Sequence, residues 1–322
     1  VALAAQRRGV SVRPQTIVPP IGAGGPRAAR QGPGAWRRLR DRLGRLAQLD
    51  ARLYQIAFLA VLLGAGVLAR DFSLQAEQVA LTFAAGIATQ LFWVRALGLH
   101  RVGVLSAVIT CFGLAVLLRA DSLWVHPLAA AACLSAKFLV RVNGKHLFNP
   151  TNLGVVLAVL TLPGAWISPG QWGADLLLAC WVVVLGGVVA NRARSFDMSA
   201  AFLVCYLGAL AARVAWLGQD WSVLAHQLQS GALLVFAFFM ISDPMTIPSR
   251  TRARLAYAAC VAGLAYAWQT VFYVPNGPLW ALFLCAPLVP LLDRIWPGVQ
   301  PTWGRERDSA RTPCPRRGSI VA

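Results

Sequence analysis

The sequence predicts an all-α integral membrane protein of about ten transmembrane helices, and three observations lead there. First, 57% of the 322 residues are hydrophobic, only 13% are charged and mean hydropathy is +0.59, whereas soluble domains carry about a quarter charged residues. Second, apolar runs near bilayer length recur from one end of the chain to the other. Third, the basic residues alternate between the ends of those runs as a topology signal does.

The expected spans are 54–69, 78–97, 102–118, 123–140 and 150–167, then 174–190, 198–217, 229–241, 254–273 and 278–295. With the N-terminus inside, 27 of the 30 lysines and arginines fall on the inner side. Arg70 and Arg119 lie in outer loops, and Arg213 lies within a span. Both termini are therefore expected in the cytoplasm of a bacterium, with the chain passing many times through its cytoplasmic membrane. Ten spans divide into five and five, which allows an inverted repeat. Trp166, Trp172, Trp216, Trp221 and Trp296 stand where an interfacial belt would place them.

Three regions follow: an arginine-rich tail over 1–50, a polytopic domain over 51–296 and a basic tail over 297–322, both tails expected to be disordered and cytoplasmic. Residues 1–53 hold eleven arginines against Asp41 and Asp50. Only one aromatic, Trp36, is interleaved with them, which argues against nucleic acid and for anionic lipid as the partner of the tails. The first 35 residues lack a secretory core. The first residue, Val1, is expected from a trimmed chain or an alternative start codon. Six of the seven cysteines sit inside apolar spans without metal-ligand spacing, so they are expected to be packing residues. No nucleophile elbow, zincin, phosphate-loop or paired-carboxylate motif is present, and no catalytic residue or metal ligand is assigned.

Two polar breaks interrupt the apolar pattern, Lys145–Gly154 and Ser242–Pro248. Asn149-Pro150 and Asp243-Pro244 each pair a good N-cap with a proline suited to the first helical position. Such helix starts carry unpaired N–H groups and a positive dipole end that favour an electron-rich guest. The candidate cofactor-binding residues are Lys145, His146, Asn149, Thr151, Asn152, Asp243 and Thr246. Asn149, Asp243 and Thr246 serve either as ligand contacts or as a buried capping network, and the loop arginines fit topology signals. Lys137 is expected to snorkel, and His126 to be a satisfied interfacial histidine.

Phe148-Asn149-Pro150-Thr151-Asn152-Leu153-Gly154 resembles the F-N-P-A-x-x-G segment of the NqrB/RnfD family, and Phe238-Phe239-Met240-Ile241-Ser242-Asp243-Pro244-Met245-Thr246 resembles its F-F-M-A-T-D-P-V-T segment. Lys145–Asn152 and Ser168–Gly173 are similar to runs of a shorter bacterial branch, UnbU, tied to enediyne natural-product clusters. The resemblance covers about residues 50–295. It implies a ten-helix fold, a flavin in the membrane domain, other membrane redox subunits as partners, and electron transfer coupled to ion movement. Members with covalent FMN attach it to the threonine of an S-G-A-T-like motif. The similar string here, Ser230-Gly231-Ala232-Leu233, has leucine at that place, so non-covalent FMN or riboflavin is expected. A transporter of a small molecule or natural product on the same scaffold, and a structural subunit that assembles partners through its basic tails, are the alternative readings.

Overall fold

The computed structural model describes residues 50–69, 75–99, 102–168 and 176–299. The chain divides into two units, residues 1–48 and 49–322, and everything described lies in the second. Both basic tails, apart from residues 50 and 297–299, and the run Pro169–Gly173 lie outside the described residues.

The first helices are α1 (Ala51–Ala69), α2 (Ala76–Ala96), α3 (Leu105–Leu117) and α4 (Val125–Leu139), and α5 (Pro150–Thr161) packs on the last two. In α2 the buried residues are Gln78, Thr82, Gly86 and Gln90, one every fourth position, while Phe92 is exposed. That helix keeps its polar stripe inside and shows apolar residues outward, as a lipid-facing helix does. Small residues bring the backbones together. A Cβ on Gly86 would collide with Cys111 Sγ, and one on Gly113 would fall 2.6 Å from Thr151 Cγ2.

Where α3 and α5 end, the chain pairs instead of leaving its backbone bare. Strand β1 (Leu118–Ala120) pairs antiparallel with β4 (Ala165–Ile167), placing Arg119 opposite Trp166. Between them lies the hairpin of β2 (Arg141–Val142) and β3 (Lys145–His146). Its turn is Asn143-Gly144, with φ of 51° and 81°, the two-residue arrangement that matches strand twist.

The second part runs α6 (Leu176–Arg192), α7 (Phe196–Leu217), α8 (Ser222–Leu228) and α9 (Gly231–Val235), which continues as a π-helical turn over Phe236–Met240. Then come α10 (Thr251–Thr270), α11 (Gly277–Cys285) and α12 (Leu288–Ile295). The α10 helix packs on α7 and α11. The π turn sits in the core, where Phe239 stacks on Phe58 at 4.5 Å and Phe236 meets Phe202 at 5.0 Å.

Among the described residues two helices, α2 and α7, suffice by length and composition to cross a membrane, or four if each bent pair counts as one span. The bent pairs are 222–228 with 231–240, at 47°, and 277–285 with 288–295, at 54°. Five other apolar helices are shorter. The expected eighth span is thus a short helix and a π turn, and the tenth is broken after Cys285. Arg119, expected in an outer loop, is buried and donates from Nη1 to the carbonyls of Ala115 and Leu118 at 2.8 and 2.7 Å.

Close approach at Gly113 gives a direct test. Gly113→Val forces Thr151 to move, and overpacking of this kind costs roughly 1–3 kcal/mol. Thermal unfolding in detergent should show a lowered midpoint for that variant. It should show none for Gly64→Ala, where a Cβ would have nothing within 4 Å.

Candidate functional site

The first polar break is built on the hairpin. Its last two residues, Lys145 and His146, point into protein and are 3% and 4% exposed. Lys145 Nζ donates three times: to the Ile247 carbonyl at 2.8 Å, to Ser249 Oγ at 2.7 Å and to Asp293 Oδ2 at 2.7 Å. The other carboxylate oxygen of Asp293 accepts the Ser249 N–H at 2.7 Å. Burial lowers the Lys145 pKa, opposed by the bond and charge of Asp293. The His146 ring hydrogen-bonds to the Lys137 backbone, and its pKa falls to about 3 through burial first, then the charges of Lys137 and Arg141. The imidazole is therefore neutral.

Asn149 caps α5 as expected. Its Oδ1 accepts the Asn152 N–H at 3.1 Å with Pro150 in the first turn. Its Nδ2 reaches across to the Met240 carbonyl at 3.1 Å. Asn152 Nδ2 donates to the Leu279 carbonyl at 3.1 Å, while its Oδ1 is buried with no partner among the described residues. Thr151 is buried against Gly113, a packing contact.

The second break departs from expectation. Asp243-Pro244 starts no helix, since α10 begins at Thr251. Asp243 Oδ1 accepts the Met245 N–H at 3.0 Å, and its carbonyl accepts both Thr246 N–H and Thr246 Oγ1, at 3.0 and 3.2 Å. This is an Asx turn, the other local use of an aspartate before proline. Pro248 brings no N–H and biases Ile247 away from helical backbone, and Lys145 holds the Ile247 carbonyl. Burial raises the Asp243 pKa, against the Met245 N–H and the charges of Lys137 and Arg52.

The two breaks do meet, but they meet by bonding to each other. Beside Lys145 and His146 there is room for about 10 Å³, roughly one water. A larger cavity of about 230 Å³ lies nearby, lined by none of the seven candidate residues but by Ser230, Ala232, Leu233 and Met240 from the strings that carry the resemblance, among others. Leu117, Tyr206, Leu233, Phe236, Met240 and Leu279 are its buried lining, and half-buried Gln227, Ser230, Ala232, Gln269, Asn276 and Pro278 complete it. Two helix starts open onto it. Ser230 caps α9 through its side chain, and Asn276, at φ 62°, precedes Gly277-Pro278 at the start of α11. Tyr206 donates to Gln269 Oε1 at 2.8 Å. The signal that could have found this place is Asn276-Gly277-Pro278, a third polar break ahead of an apolar run. Met240 and Leu279 link the two sites: each lines the cavity, and each gives its carbonyl to an asparagine of the first break.

Two further polar groups lie in the first half. Lys137 does not snorkel but is buried, with Nζ on Gln90 Oε1 at 3.1 Å and Ser106 Oγ at 2.6 Å. His126 lies fully buried with Nδ1 3.2 Å from Thr82 Oγ1, and its Nε2 has no hydrogen-bond partner among the described residues.

Removing one member of a buried ion pair strands the other, at roughly 3–5 kcal/mol. Lys145→Met should therefore melt well below the parent protein, and Lys145→Met/Asp293→Leu should recover most of the difference. His146 sets a pH dependence. Between its ordinary value of 6.5 and about 3, the unfolded chain binds a proton that the folded chain refuses. Stability is then complete above pH 6.5 and falls below it by roughly 1.4 kcal/mol per pH unit. Melting between pH 7.5 and pH 5 should show that decline in the parent and a shallower one in His146→Gln.

Residues 170–300 match the model of the NQR2, RnfD, RnfE family. Similar curated relatives are subunits D of ion-translocating oxidoreductase complexes. That of Tolumonas auensis is 36% identical over 103 residues, 28% of this chain and 27% of that protein. That of Escherichia fergusonii is 30% identical over 131 residues, 40% of this chain and 32% of that protein. The chain thus spans about a third, or less, of the length of these relatives. The family match contains the Asp243 turn and all of the cavity lining except Leu117, and it begins after the Lys145–Gly154 stretch.

Proposed function

We propose that this chain is a membrane subunit of a flavin-dependent electron-transport system of the Rnf/Nqr kind, holding a flavin ring without a covalent bond. The observation that carries the reading is the 230 Å³ cavity, walled by Tyr206 and Phe236 and fringed by amides, inside the family-matched region. Its volume falls short of the ~300–1,000 Å³ of pockets for whole drug-sized ligands, so it suits a ring whose chain leaves through the mouth. Leu233 lines it and has no hydroxyl for covalent attachment. The residues would bind and orient the ring, and the flavin when bound supplies the electron transfer.

This cavity takes the cofactor role first given to Lys145, His146, Asn149, Thr151, Asn152, Asp243 and Thr246, whose part is to hold the walls. The chain would cross the bacterial cytoplasmic membrane ten times in two sets of five, with both termini inside, other redox subunits beside it and anionic lipid on its tails. The placement of 27 of 30 basic residues supports that topology. The Lys145–Asn152 run supports the UnbU-like branch. The bends of 47° and 54° in the helix pairs favour a second reading, a small-molecule transporter with its site at broken helices. Uptake into vesicles that persists without a redox donor would mark that alternative.

Protein purified in the dark is expected to show flavin absorbance that dithionite bleaches. Leu233→Trp, which fills the cavity, should lose most of that absorbance while keeping its helical circular dichroism. A colourless parent protein that takes up no added flavin would sink the reading.

A further inference from the structure

The cavity's polar lining consists of amides and hydroxyls and includes no charged side chain: Tyr206, Gln227, Ser230, Gln269 and Asn276. Tyr206, 2% exposed, donates its hydroxyl proton to Gln269 Oε1 at 2.8 Å. In that bond the amide turns Oε1 toward the tyrosine hydroxyl. It leaves Gln269 with the two Nε2 protons to give and one Oε1 lone pair to receive. Gly277 brings the start of α11 against this residue, since a Cβ there would lie 2.5 Å from the Ala265 carbonyl oxygen and 3.3 Å from Gln269 Cβ. Asn276 makes no capping bond with its side chain, so a second amide stands at the same rim.

An amide held this way matches a ring edge that alternates carbonyl and N–H groups. A quinone offers acceptors alone, so it could take the Nε2 protons of Gln269 but not use the lone pair that Tyr206 leaves open. A phosphate would meet no cation in the lining. We propose that the cavity reads the imide edge of the flavin ring through Gln269, with Tyr206 as the positioning residue, and takes no hold on a flavin's phosphate. This rests on the flavin reading above and adds to it which part of the molecule is recognised.

The test is quenching of flavin fluorescence by the full-length protein in detergent, after bound flavin is removed, with riboflavin, FMN and 3-methylriboflavin as probes. Riboflavin and FMN should bind within about threefold of each other at low and high salt alike. Methylation of the imide nitrogen should weaken binding to the parent about tenfold. Gln269→Leu should bind riboflavin about tenfold more weakly and no longer distinguish the methylated ring, whereas Gln269→Asn should keep part of the discrimination. Tyr206→Phe should lose discrimination while melting near the parent temperature, an effect that a purely structural hydroxyl would not produce. The inference is overturned if FMN binds more than about tenfold tighter with strong salt dependence, or if the methyl group makes no difference to the parent. Failure of every flavin to bind overturns the flavin reading itself.

Discussion

The buried pair Lys145–Asp293 is the interaction from which the rest of the arrangement follows. Two charges 2.7 Å apart and almost fully buried persist only when their remaining hydrogen-bonding capacity is met. Here it is met by Ser249 and the Ile247 carbonyl. One ammonium thereby joins the hairpin, the segment after Asp243 and helix α12, three pieces far apart in sequence. Helix α5 starts four residues after the hairpin, so its position is set from the same point.

From that anchor the two asparagines of α5 reach outward to fixed carbonyls. Asn149 takes the end of the π turn at Met240, and Asn152 takes the first turn of α11 at Leu279. A π-helical turn widens the backbone by one residue, a device common at functional sites, and here it ends on a cavity wall. Two hydrogen bonds thus fix backbone carbonyls of the cavity wall, while Tyr206 and Gln269 within the lining bond to each other. This division explains why the strongest polar motif of the sequence is packed and the weaker one lines the space. Polar groups that fix a membrane core must satisfy each other, and a satisfied group has little left to offer a ligand.

How much was legible varies from residue to residue. Asn149-Pro150 was readable because capping is local: the side chain meets its own helix three residues on. The same logic misled at Asp243-Pro244, where aspartate can cap a helix or close an Asx turn with equal local chemistry. The choice fell to Pro248 and to a lysine about a hundred residues upstream. Asn143-Gly144 carried a hairpin signal that the polar character of the whole stretch concealed. Gln269 and Tyr206 had no motif at all, because nothing in the spacing of a tyrosine on one helix and a glutamine on another says that they touch. Lys137 and Arg119 were placed by rules for lipid-facing residues, and packing against Gln90, Ser106 and backbone carbonyls put them inside.

The sequence by itself determined the apolar helical character, the positions of the polar breaks and the cap that starts α5, since each depends on composition or on neighbours within a turn. The tertiary structure alone decided that the breaks bind one another, that the eighth apolar run is a short helix with a π turn, and that the open space lies beside Tyr206 and Gln269. Those outcomes depend on which carbonyls and side chains meet across more than fifty residues, and no local pattern encodes such a meeting.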